Sequence, residues 1–311
     1  MKPKVLVIVG PTASGKSALA VKLAKKFSGE VISADSRQVY RGMDIGSGKV
    51  TNKEMAGIPH HLLNVANPKQ QFSVAKFQKL TNKKIGEILK RGKLPIICGG
   101  TGFYIQSIVE NLALPAVLPN KMLRARLSTL TTEKLFEKLK ALDSERAKNI
   151  DARNPRRIIR AIEIAVALGH VPKLRNPEGW VVFDFIKIGI NPPEEILRKK
   201  IHCRLLTRMG SRMVTEAKKL HRQGVSWNKL ESFGLEYKYL ALYLQKKITK
   251  EQMLTGIERD SWLYAKRQLT WFKRDKRIIW LKASDASDNK PWLRKLAPRV
   301  SPTPRSRSKS L

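Results

Sequence analysis

The chain has 311 residues, 42% of them hydrophobic, which is enough for one large domain or two modest ones. Lysine and arginine number 62 against 25 aspartate and glutamate, a formal net charge of +37, and such a field gathers polyanions and speeds their capture. No apolar run approaches membrane-span length, and Met1-Lys2-Pro3 leads straight into a first strand, so neither a membrane helix nor a secretory leader is expected and the chain is placed in the cytoplasm. The two cysteines, Cys98 and Cys203, have no metal-ligand spacing and are expected as reduced thiols.

Val5–Val9 is a run of five apolar residues. Without alternation, it predicts a strand covered on both faces in a parallel sheet. The next residues, Gly10-Pro11-Thr12-Ala13-Ser14-Gly15-Lys16-Ser17, fit G-x-x-x-x-G-K-[ST]. Glycines let such a loop curl so that its N–H groups face a phosphate. Lys16 supplies a point charge for the outer phosphates, and Ser17 a hydroxyl that can hold Mg²⁺. Ala18–Ala24 opens a helix whose positive end adds to the same site. The motif predicts polyphosphate binding; it does not say which polyphosphate, nor that it is hydrolysed.

Glu30–Ala34 predicts a second strand ending at Asp35. In open parallel sheets the carboxyl ends of the strands share one edge, so Asp35 is expected in the crevice of the phosphate loop. Asp35-Ser36-Arg37-Gln38 is a polar loop, continued by a glycine-rich excursion from Tyr40 to Lys49. His60 and His61 are adjacent, which suits packing or hydrogen bonding better than joint ligation of one metal. A helix is expected from Ser73 to about Lys90. Leu94–Cys98 is a third buried strand, and Gly99-Gly100-Thr101-Gly102 repeats the strand, glycine bend, helix logic. Thr101 is thereby a hydroxyl held near Asp35.

From Leu114 the α/β alternation stops, and about 114–180 is expected to be an all-helical insertion. Asn154 before Pro155 marks a helix start and Gly169 its end. Arg156, Arg157 and Arg160 share one turn with Ile158, Ile159 and Ile162, and one arginine is expected to pair with Glu163. Val181–Ile190 returns to the sheet. Pro193–Gly224 is expected as one long helical region, with an apolar ridge at Leu197, Ile201, Leu205, Met209 and Met213. Its neighbouring ridge, Lys200, Arg204, Arg208 and Arg212, needs an anion to neutralise it and is read as a phosphate contact. Tyr264–Arg274 mixes aromatics with cations on a helix; it suits nucleic acid, while Trp271 and Phe272 fit a core equally well. Ile278–Leu281 is a last strand, and the Pro-, Ser- and Arg-rich end from about 291 to 311 is expected to be a disordered basic tail.

Several stretches together resemble the tRNA dimethylallyltransferase, or isopentenyltransferase, family over nearly the whole chain to about Leu281. They are G-P-T-A-S-G-K-S at 10–17, D-S-R-Q-V-Y-R-G-M-D-I-G-S-G-K at 35–49, P-H-H-L-L-N-V at 59–65 and F-S-V-A-K-F at 72–77. G-G-T-G-F-Y at 99–104, N-P-R-R-I-I-R-A-I-E at 154–163 and Y-A-K-R-Q-L-T-W-F at 264–272 complete them. The resemblance implies an α/β fold, a P-loop NTPase-like parallel sheet flanked by helices. Its core would span 1–113 and 181–290, with the helical insertion at 114–180 contacting tRNA. It implies transfer of a dimethylallyl group from its diphosphate to N6 of the adenosine 3′ of a tRNA anticodon, with Mg²⁺ at Ser17. The general base falls on Asp35 with Thr101 close by, and the diphosphate falls on the 10–17 loop and Arg204. The tRNA contacts fall on Asp35, Ser36, Arg37, Gln38 and Thr101, on Arg124, and on Arg156, Arg157, Ile158, Ile159 and Arg160. The partners implied are the tRNA anticodon stem-loop and dimethylallyl diphosphate, with no membrane, the chain acting as a monomer. Prenylation of a free adenine nucleotide, a P-loop kinase and a non-catalytic RNA-binding role are the rival readings. The net charge speaks against the first rival, and the Asp35 loop is unexplained by the last.

Overall fold

The computed structural model describes residues 2–174, 182–210, 212–281 and 293. By contacts the chain divides into two units, Met1–Glu110 with Val181–Leu311, and Asn111–Trp180. The first unit begins β1 (Lys4–Val9), α1 (Lys16–Lys26), β2 (Gly29–Ser33), α2 (Asn52–Met55), β3 (His60–His61), α3 (Val74–Lys90), β4 (Leu94–Gly99) and α4 (Gly102–Val109). The second unit holds α5 (Lys121–Leu127), α6 (Thr132–Leu142), α7 (Ser144–Lys148) and α8 (Pro155–Leu168). The chain then returns to the first unit with β5 (Asp184–Ile190), α9 (Glu194–Gly210), α10 (Met213–Arg222), α11 (Trp227–Ser232), α12 (Leu235–Leu244), α13 (Lys250–Phe272) and β6 (Ile279–Leu281).

The described strands form one parallel sheet in the order β3-β2-β4-β1-β5-β6. β1 lies between β4 and β5, and Val5 to Val9 are fully buried. Its unbroken apolar run has a two-sided cause. Leu6 and Ile8 pack against Ala20, Leu23 and Ala24 of α1, while Val5, Val7 and Val9 face the larger core that includes Phe77 of α3 and Ile105 of α4. Burying each such side chain is worth roughly 1.5–3 kcal/mol, so β1 anchors the sheet that carries the site. Because every strand is parallel, the segments after β1, β2 and β4 emerge at one edge, where open α/β sheets bind ligands. Those segments are the phosphate loop, Asp35 and Thr101.

The second unit closes on its own small core of Leu127, Leu135, Leu139, Ile158 and Ile162. Asn154 accepts from the Arg157 N–H at the start of α8, Pro155 takes its first turn, and Gly169 ends it in the left-handed region at φ 79°, as the cap residues require.

The long helix expected from Pro193 to Gly224 is two helices. Arg212 sits at φ 67° between α9 and α10, a conformation no helix interior adopts, so the expected four-residue ridge ends at Arg208. His60 and His61 form the edge strand β3. His60 meets the Ile58 carbonyl at 2.8 Å, and His61 meets the Glu30 carboxylate at 2.6 Å. The expected tail at 291–311 lies outside the described residues, apart from Leu293, which is buried on the α1 side of the sheet.

Candidate active site

The loop Gly10–Ser17 joins the buried β1 to α1. Gly15 turns it at φ 90° directly ahead of Lys16, the first residue of the helix, a backbone state that costs glycine nothing. The Lys16 ammonium folds back to donate to the Pro11 carbonyl at 3.0 Å. Burial holds its pKa below the ordinary lysine range, Arg204 adds to that lowering, and the Asp35 carboxylate opposes it. Two loop N–H groups are already engaged: Thr12 donates to Gln268 Oε1 at 2.8 Å, and Ser14 donates to the Pro11 carbonyl at 3.3 Å. The N–H groups of Gly15, Lys16 and Ser17 make no such bond among the described residues and stand at the positive end of α1, the arrangement that receives phosphate. The Ser14 hydroxyl is buried without a hydrogen-bond partner among those residues. An orphaned buried hydroxyl costs about 1–3 kcal/mol, a cost that a phosphate oxygen in the loop would remove.

Asp35 follows β2. Its Oδ1 accepts from the N–H of Arg37 at 2.8 Å and of Gln38 at 3.3 Å, which fixes the carboxylate by its own loop. Its Oδ2 has no hydrogen bond among the described residues. Thr101 caps the segment after β4, and its Oγ1 accepts from the Ser36 N–H at 3.0 Å while its own N–H donates to the Ala34 carbonyl at 3.2 Å. Two strand ends are thus stitched together beside Lys16. Arg37 and Gln38 are engaged within the unit. Arg37 Nε donates to the Phe233 carbonyl at 2.6 Å, and Gln38 donates its amide to the Gly48 carbonyl at 3.2 Å.

Arg204 of α9 reaches the same edge. It donates to Thr12 Oγ1 at 3.4 Å and to the Gly48 carbonyl at 3.0 Å. Burial lowers its pKa to about 10, the neighbouring Arg208 charge adds to that, and Glu236 and Asp35 oppose it. A guanidinium so placed, bonded to neutral oxygens and not to a carboxylate, is a strong anion receptor. Lys16, Asp35 and Arg204 therefore share one electrostatic neighbourhood.

Four supporting residues have roles that the sequence reading did not assign, although Tyr264 and Gln268 lie in the aromatic and cationic stretch 264–274. Gln268, buried in α13, accepts from Thr12 N and donates to the Gly100 carbonyl at 2.9 Å, clamping the two glycine loops together. Glu216 of α10 accepts from the N–H groups of Asp44, Ile45 and Gly46 at 2.8, 2.7 and 2.9 Å. It thereby shapes the turn whose Gly48 carbonyl holds Arg204. Tyr237 donates its hydroxyl to the same carboxylate at 2.7 Å. Tyr264 of α13 is the fourth: burial raises its phenol to about 12, Asp35 adds to the rise, and a hydrogen bond with Thr101 opposes it. Only the glycine-rich stretch 40–49 gave a signal for Glu216, since successive open N–H groups in such a turn require an acceptor.

The second unit holds the remaining expected residues; one arginine pairs with Glu163 as expected, and the reading of Ile158 needs correction. Ile158 is fully buried and Ile159 partly buried in that unit's core, so Ile158 is a packing residue and cannot touch a nucleic acid. Arg124 forms a two-pronged ion pair with the buried Glu163 at 2.7 and 2.6 Å. Arg160 also reaches Glu163, at 3.2 Å, and donates to the Val117 carbonyl at 2.8 Å. Both guanidinium groups are held by a structural carboxylate. Arg156 and Arg157 are exposed on the first turn of α8, and their side chains make no ion pair or hydrogen bond among the described residues.

A parallel sheet whose central strand runs into a glycine-lysine-serine loop, with a carboxylate and a half-buried arginine at the same edge, defines an α/β protein of the P-loop type. The chain belongs to the IPP transferase family, whose model matches residues 38–275. The tRNA dimethylallyltransferase of Bacillus cereus (strain AH187) is 38% identical over 300 residues, covering 94% of each chain. Among solved structures, the tRNA isopentenylpyrophosphate transferase of Bacillus halodurans is 36% identical, with 95% of each chain covered and a TM-score of 0.70. The tRNA delta(2)-isopentenylpyrophosphate transferase of Staphylococcus epidermidis is 39% identical, with 95% of this chain and 97% of that chain covered and a TM-score of 0.66.

Proposed function

We propose that the chain transfers a dimethylallyl group from dimethylallyl diphosphate to N6 of adenosine 37, the base 3′ of the anticodon, in tRNA. The observation that carries the reading is the meeting of an open carboxylate oxygen, Asp35 Oδ2, with the phosphate loop and Arg204 at one sheet edge. An exocyclic adenine amine is a weak nucleophile because its lone pair is delocalised into the ring. As N6 attacks the allylic carbon, the C–O bond to the diphosphate breaks and its electron pair leaves on the diphosphate oxygen. The N6 proton passes to Asp35, and a positioned base of this kind contributes about 10²–10⁴-fold. Thr101 keeps the Asp35 loop in place through the Ser36 N–H. Charge grows on the leaving oxygens, where the loop N–H groups, Lys16 and Arg204 stabilise it most.

Mg²⁺ fits this donor set as a companion of the diphosphate. It binds through one or two protein oxygens plus substrate phosphates and water, and the hydroxyl of Ser17, an exposed residue at the first turn of α1, would supply one such oxygen. When bound there, it neutralises charge on the leaving group. The exposed Arg156 and Arg157 would meet tRNA phosphates, and such contacts help offset the few kcal/mol needed to unstack a loop base. No described helix is long and apolar enough to cross a membrane, and the reading places the chain in the cytoplasm with its tRNA, as a monomer whose chemical site comes from one chain. Nucleoside mass spectrometry of tRNA incubated with the protein, dimethylallyl diphosphate and Mg²⁺ tests it. N6-dimethylallyladenosine is the expected product. Its absence, or prenylation of free AMP in preference to tRNA, overturns the reading.

A further inference from the structure

Arg208 lies one helical turn beyond Arg204 on α9, and both guanidinium groups converge on the 46–48 turn. Arg208 approaches the Gly46 carbonyl at 3.5 Å and pairs with Glu236 at 2.8 Å. A side chain on Gly48 would collide with the guanidinium ends of both arginines, so the two cations stand side by side above that glycine. Like charges at this helical spacing repel. One carboxylate, Glu236 on the first turn of α12, pairs with one of them, and among the described residues Arg204 has only neutral acceptors. Arg208 and Glu236 are both largely buried, with side chains 13% and 15% exposed, so their charges are weakly screened.

We propose that Arg208 is a second diphosphate-binding residue, kept in register by Glu236 and exchanged from that carboxylate to the distal phosphate when the prenyl donor binds. The proposal rests on the phosphate loop being the donor site. The planar guanidinium fork accepts a carboxylate or a phosphate in the same two-pronged geometry, so the exchange replaces one charge-assisted pair by another. The diphosphate gains negative charge as the C–O bond breaks. An arginine that can leave Glu236 for that charge therefore stabilises the leaving group more than the bound donor. Glu236 competes with the phosphate throughout, which limits how tightly product pyrophosphate is retained.

The opposite signs expected at the two positions provide the test. Titration calorimetry with inorganic pyrophosphate and Mg²⁺ compares wild type, Arg208→Met, Glu236→Gln, the double variant and Arg204→Gln. Arg208→Met is expected to weaken pyrophosphate binding by about tenfold, a typical loss for one charge-assisted pair. Glu236→Gln is expected to tighten it by about threefold or more, and the double variant to bind like Arg208→Met, because Glu236 acts through Arg208. Unchanged affinity in Arg208→Met, or unchanged or weaker affinity in Glu236→Gln, overturns the proposal and leaves the pair as a brace between α9 and α12. Glu236→Ala, made alongside, carries the same expectation should the glutamine variant fold poorly. If Arg204→Gln binds pyrophosphate as wild type does, the donor site itself has been misassigned, a result distinct from failure of the Arg208 step.

Discussion

Glu216→Ala removes a carboxylate that organises the 44–48 turn. In the native fold its Oε2 accepts from the N–H groups of Asp44 and Ile45, and its Oε1 accepts from the Gly46 N–H and the Tyr237 hydroxyl. Asp44 is exposed, and water can replace its lost partner. Gly46 and Tyr237 are buried, and each donor left unpaired costs about 1–3 kcal/mol. Allowing for relaxation of the turn, the loss is about 3 kcal/mol, which in a unit of this size lowers Tm by about 6–12 °C. The functional effect comes from the same geometry. Gly46 and Gly48 offer their carbonyls to Arg208 and Arg204, so loosening the turn releases both cations and raises KM for the prenyl donor by about tenfold, a usual cost of misplacing a binding group. Thermal unfolding and donor titration at saturating tRNA measure the two effects. A Tm within about 2 °C of wild type refutes the stability argument, and a lowered Tm with unchanged donor KM refutes the link between the turn and the arginines.

Gln268→Ala unpairs Thr12 N and the Gly100 carbonyl and lets the two glycine loops drift apart; kcat/KM is expected to fall by about tenfold or more, and wild-type kinetics would remove the clamp from the account. Glu30 is buried beneath Arg91, His61 and Lys93. Burial alone would raise its pKa, but their hydrogen bonds prevail and bring it down to about 2. A depressed folded-state pKa stabilises above the unfolded value near 4.5 and loses that contribution as pH falls towards 2. With Arg91 and Lys93 half exposed, the contribution is about 2 kcal/mol at neutral pH. Urea unfolding of Glu30→Gln against wild type is expected to show a gap near pH 7 that narrows by about half at pH 3; a gap that stays constant contradicts the assignment. In the second unit, Ile158→Ala is expected to cost about 2–4 kcal/mol of stability, whereas Arg157→Ala leaves stability unchanged and weakens tRNA retention with a shallower salt dependence. A salt slope like that of wild type would take Arg157 out of the tRNA interface.

Local signals marked the site's first components well. The Val5–Val9 run specifies a doubly covered strand, the glycine-lysine-serine spacing specifies a phosphate loop at its carboxyl end, and parallel pairing then forces Asp35 and Thr101 onto the same edge. Arg204 was singled out because a row of cations on one helix face needs an anion, and the structure brings it to Thr12 of the same loop. What could not be read were the contacts supplied by distant chain. Gln268 sits 256 residues from its partner Thr12, and Glu216 is 170 residues or more from the turn it holds. Neither amide nor carboxylate stands out from an ordinary polar helix residue. In the second unit one buried carboxylate, Glu163, takes both Arg160 and Arg124; the Arg160 pair lies within one helix and was expected, whereas the Arg124 pair joins two helices and has no local signature. Ile158 was placed with its arginine neighbours, although the 3.6-residue period turns it inward.

The most direct measurement of the central claim is the single-turnover rate of Asp35→Ala, taken with separate binding measurements for tRNA and for dimethylallyl diphosphate. With the carboxylate acting as base, both affinities stay within a few-fold of wild type while prenyl transfer to N6 slows by about 10²-fold or more. Transfer at the wild-type rate, or a loss explained wholly by weakened binding of either substrate, would contradict the role assigned to Asp35.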